Sequence, residues 1–240
     1  MHRSHAIAAA LLLMLALAPQ PATAAGAVPD PDMLTPSFLA AHPDIDFRRR
    51  GLEAYEAGRH AAALDAFEEA ARWSDKLSAA MVAEMYWNGT GAPVDRALAQ
   101  AWAEIAAERG FPRLVALRDR YWAALEDTER ARARELLPTL LEQYGDAVAM
   151  ERLADRLGPR LHASRDSRDT SGGSRGALHV YVPTARGWKR FSGHTYYNRK
   201  FWDPARYGEW QAEEANRPIP RVEVAEPVAA PDAAAATGQD

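Results

Sequence analysis

Between Ala79 and Gly110, small residues and aromatics recur at fixed offsets on either side of the turn Gly89-Thr90-Gly91. Ala79, Val82, Ala83 and Tyr86 stand three and four positions apart, which places them on one helix face. Ala99, Trp102, Ala106 and Ala107 repeat that spacing after the turn. Alanine at a helix crossing lets two backbones approach, while Tyr86 and Trp102 fill the space between hairpins. Gly89 and Gly91 permit the turn, and Asp95 stands where the second helix needs a cap. Such a hairpin cannot bury its apolar surface alone and must stack on neighbours of its own kind. The pattern therefore constrains the chain to a series of packed helical hairpins.

Helical periodicity extends from Asp44 to Leu157 and predicts helices over 44–57, 60–73, 76–88, 95–109, 113–126, 128–144 and 146–157. The breaks fall at Gly58, at Gly89 to Pro93, at Gly110-Phe111-Pro112 and at Glu126-Asp127-Thr128. Before this block, residues 25–43 hold Pro29, Pro31, Pro36 and Pro43 and read as an extended leader. After it, Gly158-Pro159 reads as a helix stop. Residues 158–177, rich in Ser, Arg, Asp and Gly, then read as a flexible linker. Residues 178–217 form an aromatic and basic segment, with one short strand expected over Leu178 to Val182 and one short helix over Pro204 to Asn216. The Pro- and Ala-rich residues 218–240 read as a disordered tail.

The residues around the Gly-x-Gly turn resemble the Sel-one-like repeat family, relatives of the tetratricopeptide repeat. Ala79, Tyr86, Gly89, Gly91, Asp95, Ala99, Trp102, Ala106, Ala107 and Gly110 match that family's pattern. Val82, Ala83, Ala92, Leu98 and Ala103 depart from it, mostly with little change in size. Upstream, Gly51, Gly58, Ala63, Phe67 and Ala70 are similar to a plain tetratricopeptide repeat, with His60 where an aromatic is usual. Phe111 to Tyr144 departs from both patterns and reads as a degenerate capping unit. The resemblance implies an all-α fold, a short right-handed α-solenoid of antiparallel helix hairpins over 44–157, followed by an irregular C-terminal extension. It also implies a protein-binding role, with a protein or peptide ligand in the concave groove.

The first 24 residues carry the marks of a cleavable secretory signal. A short basic start precedes the apolar run Ala6 to Ala18, and Ala22-Thr23-Ala24 follows as a small-residue cleavage site. The run is shorter than the roughly 20 residues of a membrane span. Cysteine is absent, which excludes disulfides, thiolate metal sites and lipidation at a thiol. The expected location is the periplasm or the exterior. Charge is unevenly distributed: acids outnumber bases from Asp44 to Asp155, and the balance reverses from Gly158 to Val222.

No constellation argues for catalysis, so the expectation is a non-enzyme without cofactor or metal. Gly172-Gly173-Ser174-Arg175-Gly176 satisfies a nucleophile-elbow pattern, but it sits in the Ser/Arg/Gly stretch rather than between a strand and a helix. Penicillin binding or hydrolysis, linked to some members of the resembling family, would want a Ser-x-x-Lys, and the chain has none. His42, His60, His162, His179 and His194 show no metal-ligand spacing.

By alignment with the resembling family, the concave face would carry Arg48, Leu52 and Tyr55 from one unit and Glu84, Trp87 and Asn88 from the next. Tyr55 and Trp87 are the expected anchors, because aromatics concentrate binding energy when centrally buried. The aromatics of the C-terminal segment also need burial, and the expectation is that the segment docks in the groove as an intramolecular ligand. The leading reading is an adaptor, regulator or assembly factor of the bacterial envelope, without nucleic acid or membrane span. The alternative is a cell-wall-associated binding protein or hydrolase that uses the aromatic and basic segment, with His194, Asp203 and Glu209 as its potential acid–base groups.

Overall fold

The computed structural model describes residues 31–169, 179–184 and 187–216. The stretch read as a secretory signal, the Gly172 to Gly176 motif and the tail at 218–240 lie outside the described residues. A 3-10 turn, Pro31–Met33, leads into α1 (Pro36–Leu39), α2 (Pro43–Glu56), α3 (His60–Arg72), α4 (Lys76–Asn88) and α5 (Arg96–Ala107). Then follow α6 (Pro112–Ala124), α7 (Asp127–Tyr144) and α8 (Asp146–Asp169). A small two-stranded sheet, β1 (His179–Thr184) and β2 (Gly187–Ser192), precedes α9 (Gly193–Tyr196), α10 (Arg199–Trp202) and α11 (Pro204–Ala215).

Local chemistry sets the helix ends. Pro36, Pro43 and Pro112 occupy first-turn positions, where a missing N–H breaks no helical bond. The Asp75 carboxylate accepts from the Leu77 and Ser78 amides at 3.1 and 3.4 Å to start α4. Asp95 accepts from the Leu98 amide at 3.0 Å to start α5. Gly89 closes α4 in the left-handed conformation at φ 71°. Gly91 has a second task. A Cβ on it would stand 2.6 Å from the His60 carbonyl oxygen, so the α4–α5 turn rests directly on the first turn of α3.

Two large apolar cores result, beside a small cluster of Ala97, Leu125 and Ala133. The first joins α2 to α7 through Phe67, Val82, Met85, Trp102 and Ile105, with fully buried Ala63, Ala79, Ala83, Ala99 and Ala106 at the crossings. Gly51 lies so close to the Phe67 ring that a Cβ would meet it at 2.6 Å. Tyr86 reaches back to α3, where its hydroxyl donates to Glu68 at 3.1 Å. Trp102 packs forward on Tyr144 of α7 with ring centroids 4.5 Å apart. The second core gathers Met33, Phe38, Ala41 and Ile45 with Leu153 and Leu157 of α8 and with Val182, Phe191, Tyr196, Phe201, Trp202, Tyr207 and Trp210.

The second core corrects three expectations. The leader is not extended from Pro31 onward: Thr35 caps α1, and Phe38 is wholly buried, because the prolines stand at helix starts rather than in breaks. The stop at Gly158-Pro159 is overridden, and α8 continues to Asp169. Ala149, Leu153 and Leu157, each one turn apart and buried, hold the preceding turns in place. The C-terminal segment is regular rather than irregular, with two strands and three helices, and it docks mainly on the leader and α8 instead of a groove among α2 to α5.

Candidate functional site

The two cores meet at a polar seam that begins on α2. Asp44 and Arg48 stand one helical turn apart there, and Tyr207, Gln211 and Glu214 line the facing side of α11 at helical spacing. The Tyr207 hydroxyl donates to Asp44 Oδ2 at 2.6 Å, and Gln211 Nε2 donates to the same oxygen at 3.1 Å. Arg48 pairs with Asp75 and with Glu214, each at 3.3 Å. Gln211 also accepts from Arg109 Nη1 at 2.9 Å, so one carboxamide ties α2 to the end of α5. Arg109 grips Asp146 through Nε at 2.7 Å and through Nη2 at 2.9 Å, and it also bonds the Ser74 hydroxyl. Lys76, almost fully buried, pairs with Asp146 at 3.0 Å and with Glu108.

The electrostatics follow from this burial. Loss of solvent raises the Asp44 pKa from 3.8 to about 6, with the Tyr207 hydrogen bond and Arg48 opposing and Asp75 adding to the rise. Asp44 Oδ1 is buried without a hydrogen-bond partner, which leaves the carboxylate form poorly compensated. Burial and then the Asp44 charge push the Tyr207 hydroxyl well above its usual value. Burial also works on Asp146, but Arg109 and Lys76 outweigh it and hold that carboxyl below its ordinary range. This network lines a small pocket together with Leu77, Phe111 and Trp210. It fastens the C-terminal segment to the helical body.

The residues expected on the partner-binding face are placed as follows. Leu52 and Tyr55 are exposed on α2, at 44 % and 38 %, and Tyr55 meets His60 edge-on at 5.0 Å. Glu84 and Asn88 are exposed on α4. Trp87 is half-buried, stacked on Tyr121 of α6 at 4.0 Å with Arg96 over its ring. Its ring face is thus taken up by packing. Arg48 already holds Glu214 of α11. Sequence reasoning reached Arg48 but missed Asp44, Tyr207, Gln211, Glu214 and Arg109. The one local signal was the i, i+4, i+7 spacing of the three α11 residues.

The acid–base groups of the hydrolase alternative are engaged separately. Asp203 caps α11 through the Ala205 amide and pairs with Arg199. Glu209 pairs with Arg206 at 3.1 Å, and His194 is exposed in α9. Among the described residues, no group of three or more His, Asp or Glu side chains is arranged to hold a metal. None of the described helices is long and apolar enough to cross a membrane. No family model, curated protein or solved structure matches the chain.

Proposed function

We propose that this chain is an exported helical-repeat protein of the bacterial envelope that binds a protein or peptide partner as an adaptor, regulator or assembly factor. In this reading α2 to α7 stack as a short right-handed solenoid. Three contacts between successive hairpins support that arrangement: Gly91 on the His60 backbone, Tyr86 on Glu68, and Trp102 on Tyr144. The partner lies along the face bearing Arg48, Leu52, Tyr55, Glu84, Trp87 and Asn88. The observation that carries the reading is the exposed pair Leu52 and Tyr55, one turn apart on a helix whose opposite side is buried. Two large apolar side chains left together in solvent make a nucleus for a small hot spot. Trp87 is braced by its stack on Tyr121, and Glu214 closes the Arg48 end of the face.

The test is photo-crosslinking from position 56 in cells, comparing the natural chain with Leu52→Ser/Tyr55→Ala. A discrete adduct should form with the natural chain and disappear in the double variant, with thermal stability unchanged. An adduct that persists unchanged in the double variant removes this face from consideration.

A further inference from the structure

The hairpin β1–β2 turns its two faces to different surroundings. Val182 and Phe191 point inward and are buried in the second core. Lys189, on the same inner side, pairs with Asp32 at 2.7 Å and lies over the Phe191 ring. The outer face carries His179, Tyr181 and Pro183 from β1 and Trp188 and Arg190 from β2, all exposed. Trp188 and Tyr181 are the most exposed of the large apolar side chains described, at 73 % and 60 %. Trp188 is registered opposite Pro183 and Arg190 opposite Tyr181, so the two rings sit on one diagonal with the guanidinium beside them. Folding gains nothing from leaving an indole in water, and the core beneath it is already filled.

We propose that this outer face is a binding platform for an anionic glycan strand. A pyranose ring presents a flat face of C–H groups, which stacks on the electron-rich face of an aromatic ring. Two rings on a rigid two-stranded sheet can seat sugars along one strand. Arg190 has no ion pair among the described residues and can take a carboxylate or phosphate on the sugar in a forked hydrogen bond. From His179 to Trp202 the sequence contains no acidic residue, so nothing on this segment repels such a ligand. A polynucleotide is the weaker fit. It carries a charge at every nucleotide and needs a cationic track, whereas the outer face offers one guanidinium among the described residues. The platform lies apart from the Leu52–Tyr55 surface and does not depend on it.

Affinity electrophoresis of the full-length chain tests the platform. The gels contain alginate, hyaluronate, peptide-free peptidoglycan strands with free lactyl carboxylates, or neutral dextran. At least one anionic glycan should retard the protein more than dextran does. Trp188→Ala and Tyr181→Ala should each weaken that retardation about five- to tenfold. Arg190→Gln should bring the anionic glycan down to the level of dextran. All three side chains are exposed, so thermal unfolding should match the natural chain and separate loss of binding from loss of fold. Retardation by none of the three anionic glycans overturns the proposal, as does equal retardation of the aromatic variants. Tighter binding to an oligothymidylate than to every glycan also overturns it and assigns the face to single-stranded nucleic acid.

Discussion

Replacing Asp44 by Asn should stabilise the protein above pH ~6, although it removes a charge that Arg48 attracts. The carboxyl is fully buried, and the net effect of burial over its attractions raises its pKa from 3.8 to about 6. Folding therefore takes up a proton at this site. The stabilisation from the protonated form is complete below the unfolded pKa and declines as pH rises through the folded one. The interval between the two values corresponds to about 3 kcal/mol, lost in full above pH ~7. Asparagine stays neutral and keeps an oxygen that accepts from Tyr207 and Gln211. Thermal unfolding followed by circular dichroism should give the variant a higher midpoint by roughly 6–12 °C at pH ~8 and a matching midpoint near pH ~4. Asp146, Asp95 and Asp203 have lowered pKa values and add stability that is lost as pH falls. They are common to both proteins, so the difference profile isolates Asp44. A variant less stable than the natural chain at pH ~8, or a difference that does not vary with pH, refutes the reasoning.

The α4–α5 turn makes a paired prediction. Gly91→Ala should cost about 2–4 kcal/mol in urea unfolding, because it combines a left-handed backbone with a clash on the His60 carbonyl. Gly58→Ala, with a similar positive φ but open space around it, should cost only about 1–2 kcal/mol. Trp210→Ala empties the centre of the second core and should cost about 3–5 kcal/mol there. Hydrogen exchange should show α9 to α11 losing protection while α3 to α5 keep theirs, and uniform loss would count against two separable cores.

The helices between Asp44 and Leu157 were legible because their ends are written locally. Asp95 and Gly89 act within a turn of where they stand, and the expected and observed limits of α3, α4 and α7 differ by a residue at most. The leader was misread because proline carries two meanings, and only the burial of Phe38 tells a helix start from a break. The second strand escaped because β2 reverses the usual alternation: Trp188 faces solvent while Lys189 faces inward. The polar seam had no local signature. Asp44 and Tyr207 are 163 positions apart, and nothing around either residue announces the other.

The seam and the second core divide the work of holding the C-terminal segment. Phe191, Tyr196, Phe201, Trp202, Tyr207 and Trp210 supply the large buried rings of the segment, but apolar contact alone tolerates sliding and rotation. Tyr207, Gln211 and Glu214 do not, since each is bonded to named groups on the body: Tyr207 to Asp44, Gln211 to Arg109 and Asp44, and Glu214 to Arg48. A shift of α11 by one residue would rotate all three by about 100° and leave a buried carboxylate and a largely buried guanidinium without them. The raised pKa of Asp44 is what this arrangement costs at neutral pH. The segment is thus held by its aromatics and set in register by its polar face, which fixes where Glu214 meets Arg48 at the end of the proposed partner surface.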